Sequence, residues 1–235
     1  MEKTIKIYEG KAKIVFETVA PDLLIQYFKD DATAFDATKK GTIKDKGIMN
    51  NKISSRLFQI LEKEGIPTHF VKILNEREML IKRVVIIPVE VTIRNIVAGG
   101  MSRALGLEEG LKLDCPVLEY HLKNDSLHDP LINEYHIKAL KIASLTEIET
   151  IKNYSFKVNE ILTRFFSSIN LDLIDFKLEF GRFKDEEIIL ADEISPDTCR
   201  LWEKTTGKRL DKDRFRRDLG NIEEAYQEVL RRVSK

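Results

Sequence analysis

The segment from Asp175 to Asp197, DFKLEFGRFKDEEIILADEISPD, holds two short alternating stretches around a charged turn, with carboxylates where a half-buried sheet keeps its apolar side chains. Successive side chains of a strand point to opposite faces, so Asp175, Lys177 and Glu179 share one side and Phe176, Leu178 and Phe180 the other. On the returning stretch the same period groups Asp192 with Leu190 and Ile188, and Glu193 with Ala191 and Ile189, so at least one acid is directed inward. An ionised group withdrawn from water costs several kcal/mol unless a cation or close partner compensates it. An acid pair on a hairpin therefore invites Mg2+ and phosphate.

The complementary half lies near the start of the chain. Tyr8-Glu9-Gly10-Lys11-Ala12-Lys13 places a glycine and two lysines between two alternating stretches, where backbone N–H groups and ammonium charges can meet phosphate oxygens. It lacks the GxxxxGK[ST] spacing of a Walker A loop, and taken alone it is equally a charged hairpin turn. Lysines that need phosphate and acids that need a metal are together the two halves of a nucleoside triphosphate site. Neither HRDLxxxN nor DFG occurs, which argues against a protein kinase.

Arg94 closes the run PVEVTIRN, and Ala98-Gly99-Gly100 follows as a helix opening, an arrangement that suits an anion as well as it suits a surface arginine before a loop. Arg200 lies just beyond the acidic hairpin in SPDTCR, and the two arginines point to a phosphorylated substrate. Asp30 to Asp36 and Lys123 to Pro130 read as solvated polar loops. His69, His121, His128 and His136 show no zinc spacing, and the GxSxG nucleophile motif is absent.

The elements that must position these groups are mixed. Thr4 to Tyr8, Lys13 to Glu17 and Leu23 to Phe28 predict an antiparallel meander. Ile48 to Glu64 carries Ile53, Leu57, Ile60 and Leu61 on one helical face and stops at Gly65-Ile66-Pro67. His69 to Leu74, Glu78 to Val85 and Val89 to Ile96 return to strand chemistry, with Pro88 as a junction between lobes. A short helix near Ser102 to Leu105 precedes a long one, for which Thr146 with Glu149 forms a capping box and Ile151, Val158, Leu162 and Phe165 face the core. Asn221 to Val233 ends the chain as an amphipathic helix, burying Ile222, Ala225, Tyr226 and Val229. The class is α+β, with a β-rich lobe over residues 1–86 and an α+β lobe over 87–235.

At 235 residues and 43% hydrophobic, the chain can bury a substantial core. Its 39 basic and 39 acidic residues cancel, which excludes the basic excess of a general nucleic-acid or anionic-membrane binder. Cys115 and Cys199 are too few for a disulfide framework, and neither a signal peptide nor a spanning apolar run is seen, so a cytoplasmic protein is expected.

Taken in order, YEGKAK, DDATAFD, DKGIMNNKIS, GIPTHFV, PVEVTIRNIVAGG, KNDSLHDP, DFKLEFG, LADEISPDTCRLW and DKDRFRRDLG span nearly the whole chain and resemble the phosphoribosylaminoimidazole-succinocarboxamide synthases, the SAICAR synthetases of purine biosynthesis. The resemblance implies an ATP-dependent ligase that joins L-aspartate to the carboxylate of carboxyaminoimidazole ribonucleotide, with Mg2+, giving the succinocarboxamide, ADP and phosphate. A small-molecule phosphotransferase acting on a phosphorylated ribonucleotide is the alternative. By the same resemblance Gly10, Lys11 and Lys13 hold the ATP phosphates, Lys82 and Lys123 join the nucleotide site, and Glu179 and Asp192 ligate the metal. Lys13 and Lys177 stand with those two acids as the catalytic set, and Glu179 also reaches the nucleotide. Arg94 and Arg200 clamp the ribonucleotide, Asp175 and Lys177 flank its sugar or base, and Asp129, Lys212, Arg216 and Asp36 surround the substrates. Where the family often has AGS this chain has Ala98-Gly99-Gly100, so Ser102 or backbone N–H groups replace a hydroxyl at Gly100. A two-lobed fold, kinase-like or ATP-grasp-like with antiparallel sheets and nucleotide between the lobes, and a homodimer complete what the resemblance implies.

Overall fold

Short alternating stretches separated by tight turns make the first part of the chain a meander, β1 (Lys3–Glu9), β2 (Lys13–Thr18) and β3 (Leu23–Phe28). The computed structural model describes residues 2–34, 38–184 and 187–235. A two-stranded ribbon, β4 (Asp31–Ala34) and β5 (Lys39–Thr42), leads into α1 (Lys46–Lys63), and then β6 (Phe70–Asn75) and β7 (Glu78–Lys82) return to the first sheet. That sheet is antiparallel in the order β1-β2-β3-β7-β6. α1 covers it with Ile53, Leu57, Phe58 and Leu61, all buried, while Ile60 is half-buried at the edge of the stripe. The helix ends where Gly65 takes φ 82°, a left-handed conformation that glycine adopts without a Cβ penalty.

The chain passes to a second sheet between Lys82 and Val85. Its elements are β8 (Val85–Ile96), α2 (Gly99–Leu105), β9 (Lys112–Leu122), β10 (Leu131–Ile132), α3 (Glu134–Ala139), α4 (Leu145–Ser168), β11 (Leu171–Phe183), β12 (Glu187–Ala191), β13 (Cys199–Glu203), α5 (Asp213–Arg216) and α6 (Ile222–Val233). The order is β10-β9-β8-β11-β12, and β13 pairs the first half of β11. Pro88, where a junction between lobes was expected, lies inside β8, at the register shift between the pairs Glu179 with Glu90 and Gly181 with Ile86. A strand tolerates proline at such an irregularity because no ladder donor is lost there.

α4 packs on β11 and β8 and buries Ile151, Val158, Leu162 and Phe166; the neighbouring Phe165, expected in that core, is only half-buried. Its capping box is Ser144 with Glu147, two residues before the predicted pair: Ser144 Oγ accepts from the Glu147 N–H at 3.2 Å, and Glu147 accepts from the Ser144 N–H at 2.6 Å. Glu147 is fixed there by Arg182 of β11, an interaction no local pattern reveals. α6 packs against α1 through Ala225, Tyr226, Val229 and Val233, with Ile222 only half-buried. The two sheets are spliced where residues 67–69 run parallel to the end of β12, the His69 N–H donating to the Leu190 carbonyl at 2.8 Å and the Leu190 N–H to the Pro67 carbonyl at 2.9 Å. Among the described residues no helix is long and apolar enough to cross a membrane.

Candidate active site

The polar face of the second sheet follows from its register. β8 and β11 are antiparallel with Arg94 opposite Asp175 and Glu90 opposite Glu179, so period two stacks Glu90, Arg94, Asp175, Lys177 and Glu179 on one side. Two carboxylates directly opposite each other repel unless a cation joins them. Lys177, two residues from Glu179 on the same face, supplies it: Nζ lies 3.0 Å from Glu90, 2.5 Å from Glu179 and 3.4 Å from Asp192. Lys123, just beyond β9, adds a second ammonium 2.7 Å from Glu179.

At the end of β12 the expected alternation stops. Asp192 takes φ 64°, a strained left-handed backbone for a non-glycine residue, so its side chain leaves the apolar face of Leu190 and Ile188. Both Asp192 and Glu193 consequently meet Lys13 from the start of β2, Glu193 at 3.0 Å and Asp192 in a close ion pair. The N-terminal lysine and the hairpin acids are thus in direct contact. Burial raises the Asp192 carboxyl, but Lys13, Lys177 and Lys123 outweigh it and hold the group well below the usual carboxylate range. Burial and Asp192 both push Glu179 up, and the same three lysines leave it net lowered. Burial would discharge Lys177, yet Glu179, Asp192 and Glu90 raise it well above an ordinary lysine. Glu90 is raised, burial outweighing Lys177. His69 backs this centre with Asp192 among its neighbours; burial drives its pKa down to about 3, so the ring is neutral.

A second cluster adjoins the first. Asp175 accepts from Arg94 at 2.6 Å and from Arg200 at 2.8 and 3.0 Å, a buried carboxylate between two guanidiniums. Glu119 holds the Nε of Arg94 at 2.8 Å, Asp213 holds the Nε of Arg200 at 3.0 Å, and Asp213 also accepts from Arg216 at 2.6 Å. Gly99 has φ 56°, and a Cβ there would stand 2.4 Å from Arg200, so only glycine lets that guanidinium lie against the turn. A Cβ on Gly100 would sit an ordinary 3.6 Å from Arg94.

A cleft of about 600 Å³ is lined by Gly10, Lys11, Lys13, Lys82, Lys123, Asp129, Lys177, Glu179, Asp192, Lys212 and Arg216. Arg94, Asp175, Arg200 and Gly100 are not in its wall; they form the adjoining arginine cluster, joined to it through Arg216 and Asp213. Lys11 reaches across to Asp125 at 2.7 Å, and the Gly10 N–H closes its own turn on the Lys13 carbonyl at 2.9 Å. Ser102 donates its hydroxyl to the Leu107 carbonyl at 2.8 Å. Asp36 falls outside the described residues.

A sequence model of the SAICAR synthetase family matches residues 6–233. The chain belongs to the SAICAR synthetase family. It is 60% identical, over 235 residues and the full length of both chains, to a phosphoribosylaminoimidazole-succinocarboxamide synthase from Caldanaerobacter subterraneus subsp. tengcongensis, and 58% identical over the same span to one from Clostridium botulinum. The fold superposes with TM-score 0.96 on the crystal structure of the enzyme of that name from Ehrlichia chaffeensis, at 48% identity and 98% of each chain. It superposes with TM-score 0.94 on a SAICAR synthetase in complex with ADP, at 48% identity and 97% of each chain. The chain is accordingly an ATP-dependent ligase of de novo purine biosynthesis with the α+β fold and antiparallel sheets of SAICAR synthetases.

Glu90, Glu119, Asp197 and Asp213 are charged neighbours to which the motifs gave no role, and Glu193 was placed by period two on the face opposite Asp192. Glu90 shares the face of Arg94 by period two, a signal present in PVEVTIR, and Asp213 precedes Arg216 by one helical turn. Glu119 carries no such mark, since its pairing with Arg94 depends on the β8 to β9 register.

Proposed function

We propose that the cleft binds ATP with its triphosphate at the meeting point of Lys13, Lys177, Lys123 and the acids Glu179 and Asp192, and performs the ligation there. Residues 1–86 serve as the nucleotide-binding lobe and 87–235 as the substrate- and metal-binding lobe. The observation that carries this reading is the contact of Lys13 with Asp192 and Glu193 across 179 residues of chain, which joins the glycine turn to the acidic hairpin inside one cavity. Val15, Leu24, Ile81, Val84 and Ile86 give the same cavity an apolar wall suited to a nucleobase. That a relative of 48% identity was solved with ADP agrees with this use of the cleft.

Among the described residues no three His, Cys, Asp or Glu side chains gather closely enough to hold a metal unaided. Two buried carboxylates with phosphate oxygens are the usual donors to Mg2+, so the donor set fits that ion in the presence of nucleotide. Glu179 and Asp192 would hold it, and it would neutralise charge on the transferring phosphoryl group.

Carboxylate is a poor acyl donor because oxide is its leaving group. In the reaction proposed, an oxygen of the imidazole carboxylate bonds to the γ-phosphorus as its bond to ADP breaks. The amine of aspartate then bonds to the resulting acyl carbon, phosphate departs with the C–O electron pair, and the amine proton passes to solvent or phosphate. Lys13 and Lys177 balance the charge of the phosphates, Gly10 shapes the turn that carries Lys11, and Lys82 and Lys123 flank the nucleotide. Arg94 and Arg200, fixed by Asp175, orient the ribonucleotide phosphate beside Gly100 and Ser102, with Asp129 near the substrates. The homodimer implied by the resemblance belongs to the same reading, and sedimentation of the purified chain measures it.

The test is an assay with ATP, Mg2+, carboxyaminoimidazole ribonucleotide and aspartate, reading ADP and the mass of the nucleotide product. ADP should form only with every reactant present, and the product should carry aspartate. ADP formation unchanged without aspartate, or a product bearing only phosphate, would establish a phosphotransferase instead.

A further inference from the structure

Most cations of the cleft are already matched. Lys11 pairs with Asp125, Lys13 with Asp192 and Glu193, Lys123 and Lys177 with Glu179, and Arg216 with Asp213. Lys82 donates to the Thr68 carbonyl at 2.9 Å and lies over the ring of Phe183. Lys212 lines the same cavity and, among the described residues, makes no ion pair. The anion acting most strongly on it is Asp197, and that carboxylate is committed elsewhere: Oδ2 accepts from the fully buried Lys46 at 2.6 Å and Oδ1 from the Tyr226 hydroxyl at 2.6 Å.

Lys212 is held in place by its backbone, whose N–H donates to the Pro196 carbonyl at 3.0 Å at the start of α5. One turn later Arg216 enters the same cavity, and its guanidinium is close enough to disfavour the Lys212 charge. Burial lowers the Lys212 ammonium below an ordinary lysine, and Arg216 and Lys46 add to the effect against the opposing pulls of Asp197 and Glu193. Two cations that repel each other over a shared cavity wall form a local excess of positive charge that an anionic ligand would relieve.

The position selects the ligand. On one side, residues 192–197 lead from the proposed triphosphate centre to the Pro196 carbonyl that fixes Lys212. On the other, Arg216 shares Asp213 with Arg200 of the arginine cluster. An amine that attacks a carboxylate activated between those two centres must be bound between them. We propose that Lys212, with Arg216, receives the carboxylates of the amino-acid substrate, an α-amino dicarboxylate. This assignment rests on the ligase reading and extends it to the amino-acid reactant.

The test compares the KM values of all three reactants for the full chain and its Lys212→Gln and Lys212→Arg variants. Loss of one charge-assisted contact should raise the aspartate KM of Lys212→Gln about ten- to a hundredfold, with those of ATP and ribonucleotide within about twofold. Lys212→Arg should recover part of the loss, which a merely structural lysine would not require. An unchanged aspartate KM in Lys212→Gln, or an equal rise for all three reactants, overturns the assignment. If Lys212→Gln turns over too slowly, labelled aspartate is measured by equilibrium dialysis against the chain loaded with ribonucleotide and a non-hydrolysable ATP analogue; retained binding overturns the proposal and lost binding supports it. Wild-type chain that forms no aspartate-bearing product overturns the ligase reading and this assignment with it. Product formation by the wild type with an unaltered Lys212→Gln aspartate KM overturns the assignment alone.

Discussion

Glu179 and Asp192 are kept ionised in a buried place by lysines rather than by water, and this is the chemical state a divalent ion with phosphate can exploit. Glu179→Gln and Asp192→Asn keep the shape and remove the charge, so each should lower turnover about a hundredfold or more with an unaltered circular dichroism spectrum. Near-normal turnover in either variant would remove that residue from the centre. Arg94 acts by geometry as well as charge: its fork bridges Glu119 and Asp175, and lysine cannot span both. Arg94→Lys should therefore raise the KM for ribonucleotide about tenfold, with that for ATP little changed. A rise confined to ATP would place Arg94 in the nucleotide site. Glu179 and Arg94 were legible because they put charge on one face of an alternating stretch, and Asp192 because it breaks the apolar phase of Ile188 and Leu190. Glu193 was visible as the neighbour of Asp192, but period two set the two acids on opposite faces, and only the left-handed turn at Asp192 brings both to Lys13.

The meander, α1 and the closing helix follow from local periodicity, and their observed bounds differ from expectation by about a residue or two. What the sequence could not show are the decisions taken by distant partners: Arg182 fixing the α4 cap at Glu147, and a bulge accommodating Pro88. Gly47, at the start of α1, lets the helix backbone close on β3, since a Cβ there would lie 2.3 Å from the Phe28 carbonyl oxygen. Gly47→Ala should cost about 1–3 kcal/mol in chemical denaturation, and an unchanged midpoint would show that the helix can shift freely. The splice between residues 67–69 and β12 buries His69 edge-on against Phe58 at 5.2 Å between centroids. Its pKa of about 3 lies below the ordinary 6.5, so the unfolded chain takes up the proton first as pH falls. Stability held above the ordinary value is thus lost progressively between 6.5 and about 3. His69→Phe should shed on the order of 2 kcal/mol of the acid-dependent destabilisation between about pH 7 and pH 5, read by denaturation at each pH. An identical loss in both proteins would mean that His69 is protonated in the fold.

At the scale of the molecule, two antiparallel sheets meet along one cleft, the first contributing lysines from its glycine turn and the second contributing acids from its hairpin. The formal charge of the chain is zero, so the site works by arrangement of local charges rather than by an overall field. The most direct test of that arrangement is calorimetric titration of ATP into the chain, with Mg2+ and with chelator, for wild type and for Asp192→Asn. Shared binding of metal and triphosphate predicts that Mg2+ tightens the wild-type affinity about tenfold or more and that this gain disappears in Asp192→Asn. Equal affinities with and without Mg2+, or a gain that survives the substitution, would contradict a centre in which these lysines and acids converge on one triphosphate.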